Sequence, residues 1–150
     1  MKQSVRVLLL AAALAVCGAG TPAMAQDGAS AQGAEAGVKR VVFQVSDGSP
    51  DKWNLTLTNA RNVLDRLGKD HVQVEIVAYG PGIEALRFES LLANRIGQAV
   101  QDGVRIVACQ NTMKSKHLTA DDMLPSIGYV PVGVIELIDR EQAGWAYVRP

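Results

Sequence analysis

Along residues 38–150 the apolar positions switch repeatedly between a two-residue and a three-to-four-residue period. Residues 38–45 (VKRVVFQV) are β-branched and apolar, which predicts a strand stopped by the Ser-Asp-Gly-Ser-Pro run at 46–50. Asp51 can then cap a helix whose apolar residues fall at Trp53, Leu57, Ala60, Leu64 and Leu67, one helical face, and Gly68 ends it. Residues 71–79 (HVQVEIVAY) alternate, with Val72, Val74, Ile76 and Ala78 on one side of a second strand, and Gly80-Pro81-Gly82 breaks it. A helical region is expected through Asp102, with apolar residues at Leu91, Leu92, Ile96, Ala99 and Val100; its first half, residues 83–90, has no clear period. Gly103 stops that region.

Residues 104–108 predict a short buried strand, with Cys109 opening the loop after it. Thr119, Asp121 and Asp122 predict a brief helix start, a hydroxyl cap followed by acids in the first turn. Residues 129–132, 134–142 and 145–148 predict a strand, a helix and a last strand. Strands separated by helices imply right-handed crossovers, so the expected fold is a three-layer α/β/α domain with a mostly parallel sheet of about five strands. In such sheets ligands bind beyond the carboxyl ends of the strands. The loops at that edge are residues 46–50, 79–82 and 109–113.

The first 25 residues follow another logic. Lys2 and Arg6 precede an apolar run at 8–16, then small residues lead to Ala23-Met24-Ala25. This order describes a signal peptide cleaved after Ala25, with export to a bacterial periplasm. The run is too short to span a bilayer, so no membrane attachment is expected after cleavage. Lipoprotein processing at Cys17 is disfavoured by Val16, where such signals want a small residue. Residues 26–37 (QDGASAQGAEAG) read as a flexible lead-in, leaving 38–150 as the domain.

Charge narrows the function classes. Fifteen Lys and Arg balance fifteen Asp and Glu, and cleavage removes two of the bases, so no basic excess points to nucleic acid. With 48% hydrophobic residues the chain can bury one core. The acid pairs Asp121-Asp122 and Asp139-Glu141 are explained by helix starts and solvated faces, so no metal and no cofactor is expected. Residues 46–50 lack both common phosphate-loop patterns. Trp53 and Trp145 read as core or subunit contacts.

Cleavage also removes Cys17, so Cys109 becomes the single cysteine of the mature chain. A lone thiol there is buried and inert, paired with another molecule, or present for its chemistry. Reactivity needs thiolate character from a cation, a helix N-terminus or backbone amides. The following QNTMKSK offers amides at Gln110 and Asn111, a hydroxyl at Thr112, and cations at Lys114 and Lys116; His117 could in principle act as a base, but a lone histidine in a polar loop is more often just solvated. Asn111 and Thr112 are candidate binding residues that would also serve in a turn. Asp47, Gly48, Gly80 and Gly82, from the other two edge loops, complete the candidate set.

Five segments in this order resemble the DsrE/DsrF-like family of small sulfur-oxidation and sulfur-transfer proteins. They are VSDGSPDKWNLTLTNARN (45–62), EIVAYGPGI (75–83), GVRIVACQNTM (103–113), LTADDMLP (118–125) and VPVGVIELIDREQAGWAYVRP (130–150). The resemblance implies a parallel five-stranded α/β fold, a homo-oligomer, and a cysteine after the middle strand that carries sulfur as a persulfide, a role that maps onto Cys109. It also implies a sulfur donor or acceptor protein as partner. Relay members of the family are cytoplasmic, whereas this chain carries an export signal. Two other readings stay open: a non-catalytic ligand-binding or assembly module with a structural cysteine, and a thiol redox protein completed by a partner's cysteine.

Overall fold

The computed structural model describes residues 37–150. The expected signal peptide, and the lead-in up to residue 36, lie outside the described residues. Five strands, β1 (Lys39–Val45), β2 (Val72–Ala78), β3 (Arg105–Cys109), β4 (Gly128–Val130) and β5 (Ala146–Val148), form one sheet in the order β4-β3-β2-β1-β5. Every pairing is parallel, so the expected mostly parallel sheet is wholly parallel. The helices are α1 (Pro50–Leu67), α2 (Ala93–Gln101), α3 (Gln110–Ser115) and α4 (Gly133–Gln142).

The two faces of the sheet are covered unequally. On one, Trp53, Leu57, Ala60 and Leu64 of α1, Ile96 of α2 and Met113 of α3 pack on Val41, Phe43, Val74, Ile76, Ile106 and Ala108. On the other, α4 alone sets Leu137 against Val42, Val77, Val107 and Val130. The connections from β1 to β4 step one way along the sheet, and α4 carries the chain back across the opposite face to β5. That arrangement makes the sandwich of three layers.

Several local expectations change. Ser49, not Asp51, is the N-cap of α1; Pro50 takes the first helical position, where its missing N–H costs nothing, and Asp51 lies in the first turn. His71 belongs to a 3-10 turn, Lys69–His71, rather than to β2. The region before Asp102 divides into a 3-10 segment, Gly80–Leu86, and the short α2, and Leu91 stands fully exposed between them. Arg87 bridges Met123 there, which draws the chain away from a continuous helix. Thr119 and Asp122 form a reciprocal capping box around a single 3-10 turn. Cys109 does not open a loop: it is the last residue of β3, and α3 begins at the next residue.

The carboxyl edge is tied together by a close approach at Gly82. A Cβ there would lie 2.3 Å from the Val45 carbonyl oxygen, and the Gly82 carbonyl accepts the indole N–H of wholly buried Trp53 at 2.9 Å. Gly97, inside α2, has open space where a Cβ would go. Two glycine substitutions should therefore have opposite signs. Gly82→Ala is expected to lose about 2–3 kcal/mol through backbone displacement. Gly97→Ala should gain roughly 0.5–1 kcal/mol from helix propensity and a less flexible unfolded chain. Denaturant unfolding of both variants checks this.

Candidate functional site

The site is built where β3 meets two helices. Residues 105, 107 and 109 of β3 alternate onto the face covered by α4, and Val107 packs there with Leu137. Cys109, at the end of that row, is a free cysteine only 4% exposed. It is also the N-cap residue of α3, and its sulfur turns towards the start of α4. The backbone N–H of Gly133, the first residue of α4, donates to Cys109 Sγ at 3.2 Å. The approach is tight: a Cβ at 133 would sit 3.2 Å from Cys109 Cβ and from Tyr79 Cβ, so a larger residue would need these neighbours to give by a few tenths of an ångström.

Thr112 supplies the second link. Its Oγ1 accepts the Gly80 N–H at 3.0 Å, joining α3 to the end of β2, and its side chain helps to lower the acidity constant of the thiol. Gly80 adopts φ 53°, a left-handed conformation suited to glycine, so its N–H can turn towards α3. The Asn111 N–H is given to the Pro131 carbonyl at 3.1 Å, anchoring the start of α3 to the segment leading into α4. The hydrogen bond that reaches the sulfur is that of the Gly133 N–H.

These contacts decide the thiol's acidity. Burial pushes the Cys109 thiol up, but the Gly133 N–H, the Thr112 hydroxyl and the amides of Thr112 and Asn111 outweigh it and hold the thiol below its ordinary value. The donors stabilise negative sulfur, as N–H groups at a helix start do.

The other candidates separate into two groups. Gly80 and Gly82 belong to the scaffold of the site, Gly80 through Thr112 and Gly82 through its contact with β1. Gly48 packs on Pro81, and Asp47 Oδ1 accepts the Ser49 N–H at 2.7 Å, holding the turn into α1. Asp47 instead lines a separate crevice at the ends of β1 and β5 with Gln44, Lys52 and Arg149.

Neither nearby cation nor histidine meets the sulfur. Lys116 pairs with Glu84 at 2.8 Å, while His117 takes φ 56° just beyond α3, at the far end of that helix from Cys109. Among the described residues no group of His, Cys, Asp and Glu could hold a metal ion. Gly133 and Tyr79's close packing were missed by the sequence reading; a glycine directly before the apolar period of α4 was the available signal.

The DsrE/DsrF-like family profile matches residues 39–150. The fold is similar to that of MTH1491 from Methanobacterium thermoautotrophicum, a protein of unknown function, at TM-score 0.71 and 34% identity. That match covers 75% of this chain and 99% of that one. BT1422 from Bacteroides thetaiotaomicron, also of unknown function, shares the fold at TM-score 0.62 and 17% identity, covering 75% of this chain and 95% of its own. No curated protein matches the chain in sequence.

The lowered acidity constant of Cys109 ties stability to pH. The unfolded thiol holds its proton to higher pH than the native one, so between the two midpoints the unfolded state binds more protons and stability rises with pH. The stability difference between wild type and Cys109→Ser should therefore shift in favour of wild type as pH climbs from the native midpoint towards about 8.5, and level off above it. Urea unfolding of both proteins across that range checks the sign.

Proposed function

The chain belongs to the DsrE/DsrF-like family, and from that premise we propose that it carries sulfane sulfur on Cys109. The observation that carries this reading is the Gly133 N–H on Cys109 Sγ, with the Thr112 hydroxyl beside it. Donors aimed at a sulfur favour its anion, and the thiolate is the form that attacks sulfur.

The cycle has two displacements. The Cys109 thiolate attacks the terminal sulfur of a polysulfide or donor persulfide; a new S–S bond forms, the old one breaks, and the shortened donor leaves with the electron pair. An acceptor thiolate then attacks the outer sulfur of the Cys109 persulfide, and the Cys109 thiolate leaves. No net oxidant or reductant is needed. The depth of Cys109 favours a slender donor, such as an inorganic polysulfide chain, in the first step. A donor or acceptor protein would have to present its sulfur at the edge formed by Tyr79, Gln110 and Gly133.

The setting is part of the same proposal. The order of charge, apolar run and small residues at 1–25 supports export to the periplasm. A homo-oligomer is supported by Val134, Ile135 and Ile138, apolar residues left exposed on α4. The second reading, a structural cysteine in a binding module, draws on the burial of Cys109, since free cysteine is often buried for packing alone.

Intact mass spectrometry separates these readings. The native protein incubated with polysulfide should gain about one sulfur, roughly 32 Da, that reductant removes and that Cys109→Ser does not acquire. A folded protein that gains nothing makes Cys109 structural. For the assembly, sedimentation should show a particle heavier than one chain, and Ile135→Glu should shift it to the monomer. A wild-type protein that sediments as a monomer contradicts the assembly.

A further inference from the structure

The face of the sheet that carries Cys109 also carries an ionic cluster. Glu75 of β2 is wholly buried there, although it stands among the apolar residues of a central strand. Arg105 of β3 pairs with Glu75 and reaches Glu136 Oε1 at 3.0 Å. Arg140 closes the group, with Nε 2.7 Å from Glu75 Oε2 and one terminal nitrogen 2.7 Å from Glu136 Oε1, and its guanidinium lies 4.7 Å from the centre of the Trp145 ring. Two cations and two carboxylates thus join β2 and β3 to α4.

The cluster matters because little else holds α4. Its buried residues are Gly133 and Leu137. Burying one leucine is worth about 2 kcal/mol, a small hold for the one helix that covers this face among the described residues. Glu136 lies one turn from Gly133, and Arg105 lies four residues before Cys109 on the same strand, about 13 Å along it. The helix is therefore pinned to β3 at two places: sulfur to amide at its start, and carboxylate to guanidinium one turn on.

We propose that Glu136, held by Arg105 and Arg140, is a positioning residue for the Cys109 thiolate, setting how closely the Gly133 N–H approaches the sulfur. The inference rests on the reading of Cys109 as a working thiolate. Burial pushes the Glu136 carboxyl up, but hydrogen bonds from Arg105 and Glu75 and the charge and hydrogen bond of Arg140 more than offset it, so the residue is an anion at neutral pH.

That negative charge makes the test discriminating. Deleting an anion acts through space to favour a nearby thiolate, which lowers the thiol's midpoint. Loss of positioning withdraws the Gly133 donor, which raises it. The two effects have opposite signs.

The experiment is the pH profile of Cys109 alkylation by iodoacetamide in wild type and Glu136→Gln, with circular dichroism to verify folding. The expected result is a midpoint raised by about 0.5–1 unit in the variant, and a rate at neutral pH lower by roughly three- to tenfold. A folded variant whose midpoint is unchanged or lowered overturns the proposal. If Glu136→Gln does not fold, Arg140→Lys keeps the charge while removing the planar fork. It should raise the midpoint too, and an unchanged midpoint there overturns the proposal equally. A wild-type midpoint at or above the ordinary cysteine value instead removes the thiolate reading itself, a failure distinct from equal midpoints in wild type and variant.

Discussion

The contact on which the site depends is the 3.2 Å approach of the Gly133 amide to the sulfur of Cys109, twenty-four residues away in the chain. Gly133 brings no side chain against Cys109 and Tyr79, where a Cβ would lie 3.2 Å from each, so the first turn of α4 can lie close on the end of β3. A buried sulfur without that donor would be pushed towards the neutral thiol. With it, and with the Thr112 side chain, the thiol is held below its ordinary value despite its burial.

The unequal faces of the sheet divide the work. The thick apolar face, with Trp53, Phe43, Ile76 and Ile106 all buried, holds the strands in register and so fixes Val45, Ala78 and Cys109 at one edge. Thr112 and Gly80 inherit their positions from it. The thin face bears α4, whose hold is largely ionic and whose outer side leaves Val134, Ile135 and Ile138 in water. Cys109 sits at the seam, with its scaffold on one face and the Gly133 donor on the other. A buried ion cluster is a weak source of stability, because desolvation offsets much of the attraction. Directional fixing of a helix is a role such a cluster can fill without adding much to stability.

How far the sequence reveals this depends on the range of the interaction. β-branched runs such as VVFQV and VQVEIVA mark strands locally, so the parallel fold and the placement of Cys109 at the carboxyl edge were legible. The helix directly after Cys109 was not, since QNTMKS has neither a strong cap nor room for an apolar period. Leu91 fits a helical face on paper, but the Arg87–Met123 bridge pulls the chain aside and leaves it exposed. Glu75 alternates with Val74 and Ile76, which suggests a solvated position, yet α4 and two arginines cover it. Asn111 and Thr112 were legible as candidates beside Cys109 in sequence, but nothing in the sequence placed either near the sulfur. Gly133 was not legible, because its role arises only when two distant elements meet.

The contact can be observed at its own atoms. Nuclear magnetic resonance of the 15N-labelled protein would follow the Gly133 amide through a pH titration, with Cys109→Ser as control. If that N–H holds the thiolate, its resonance moves as Cys109 ionises, with a midpoint below the ordinary cysteine value of about 8.5. The movement is absent in Cys109→Ser. A Gly133 resonance that stays still while Cys109 ionises, or that moves at or above the ordinary midpoint, contradicts a thiolate held by Gly133.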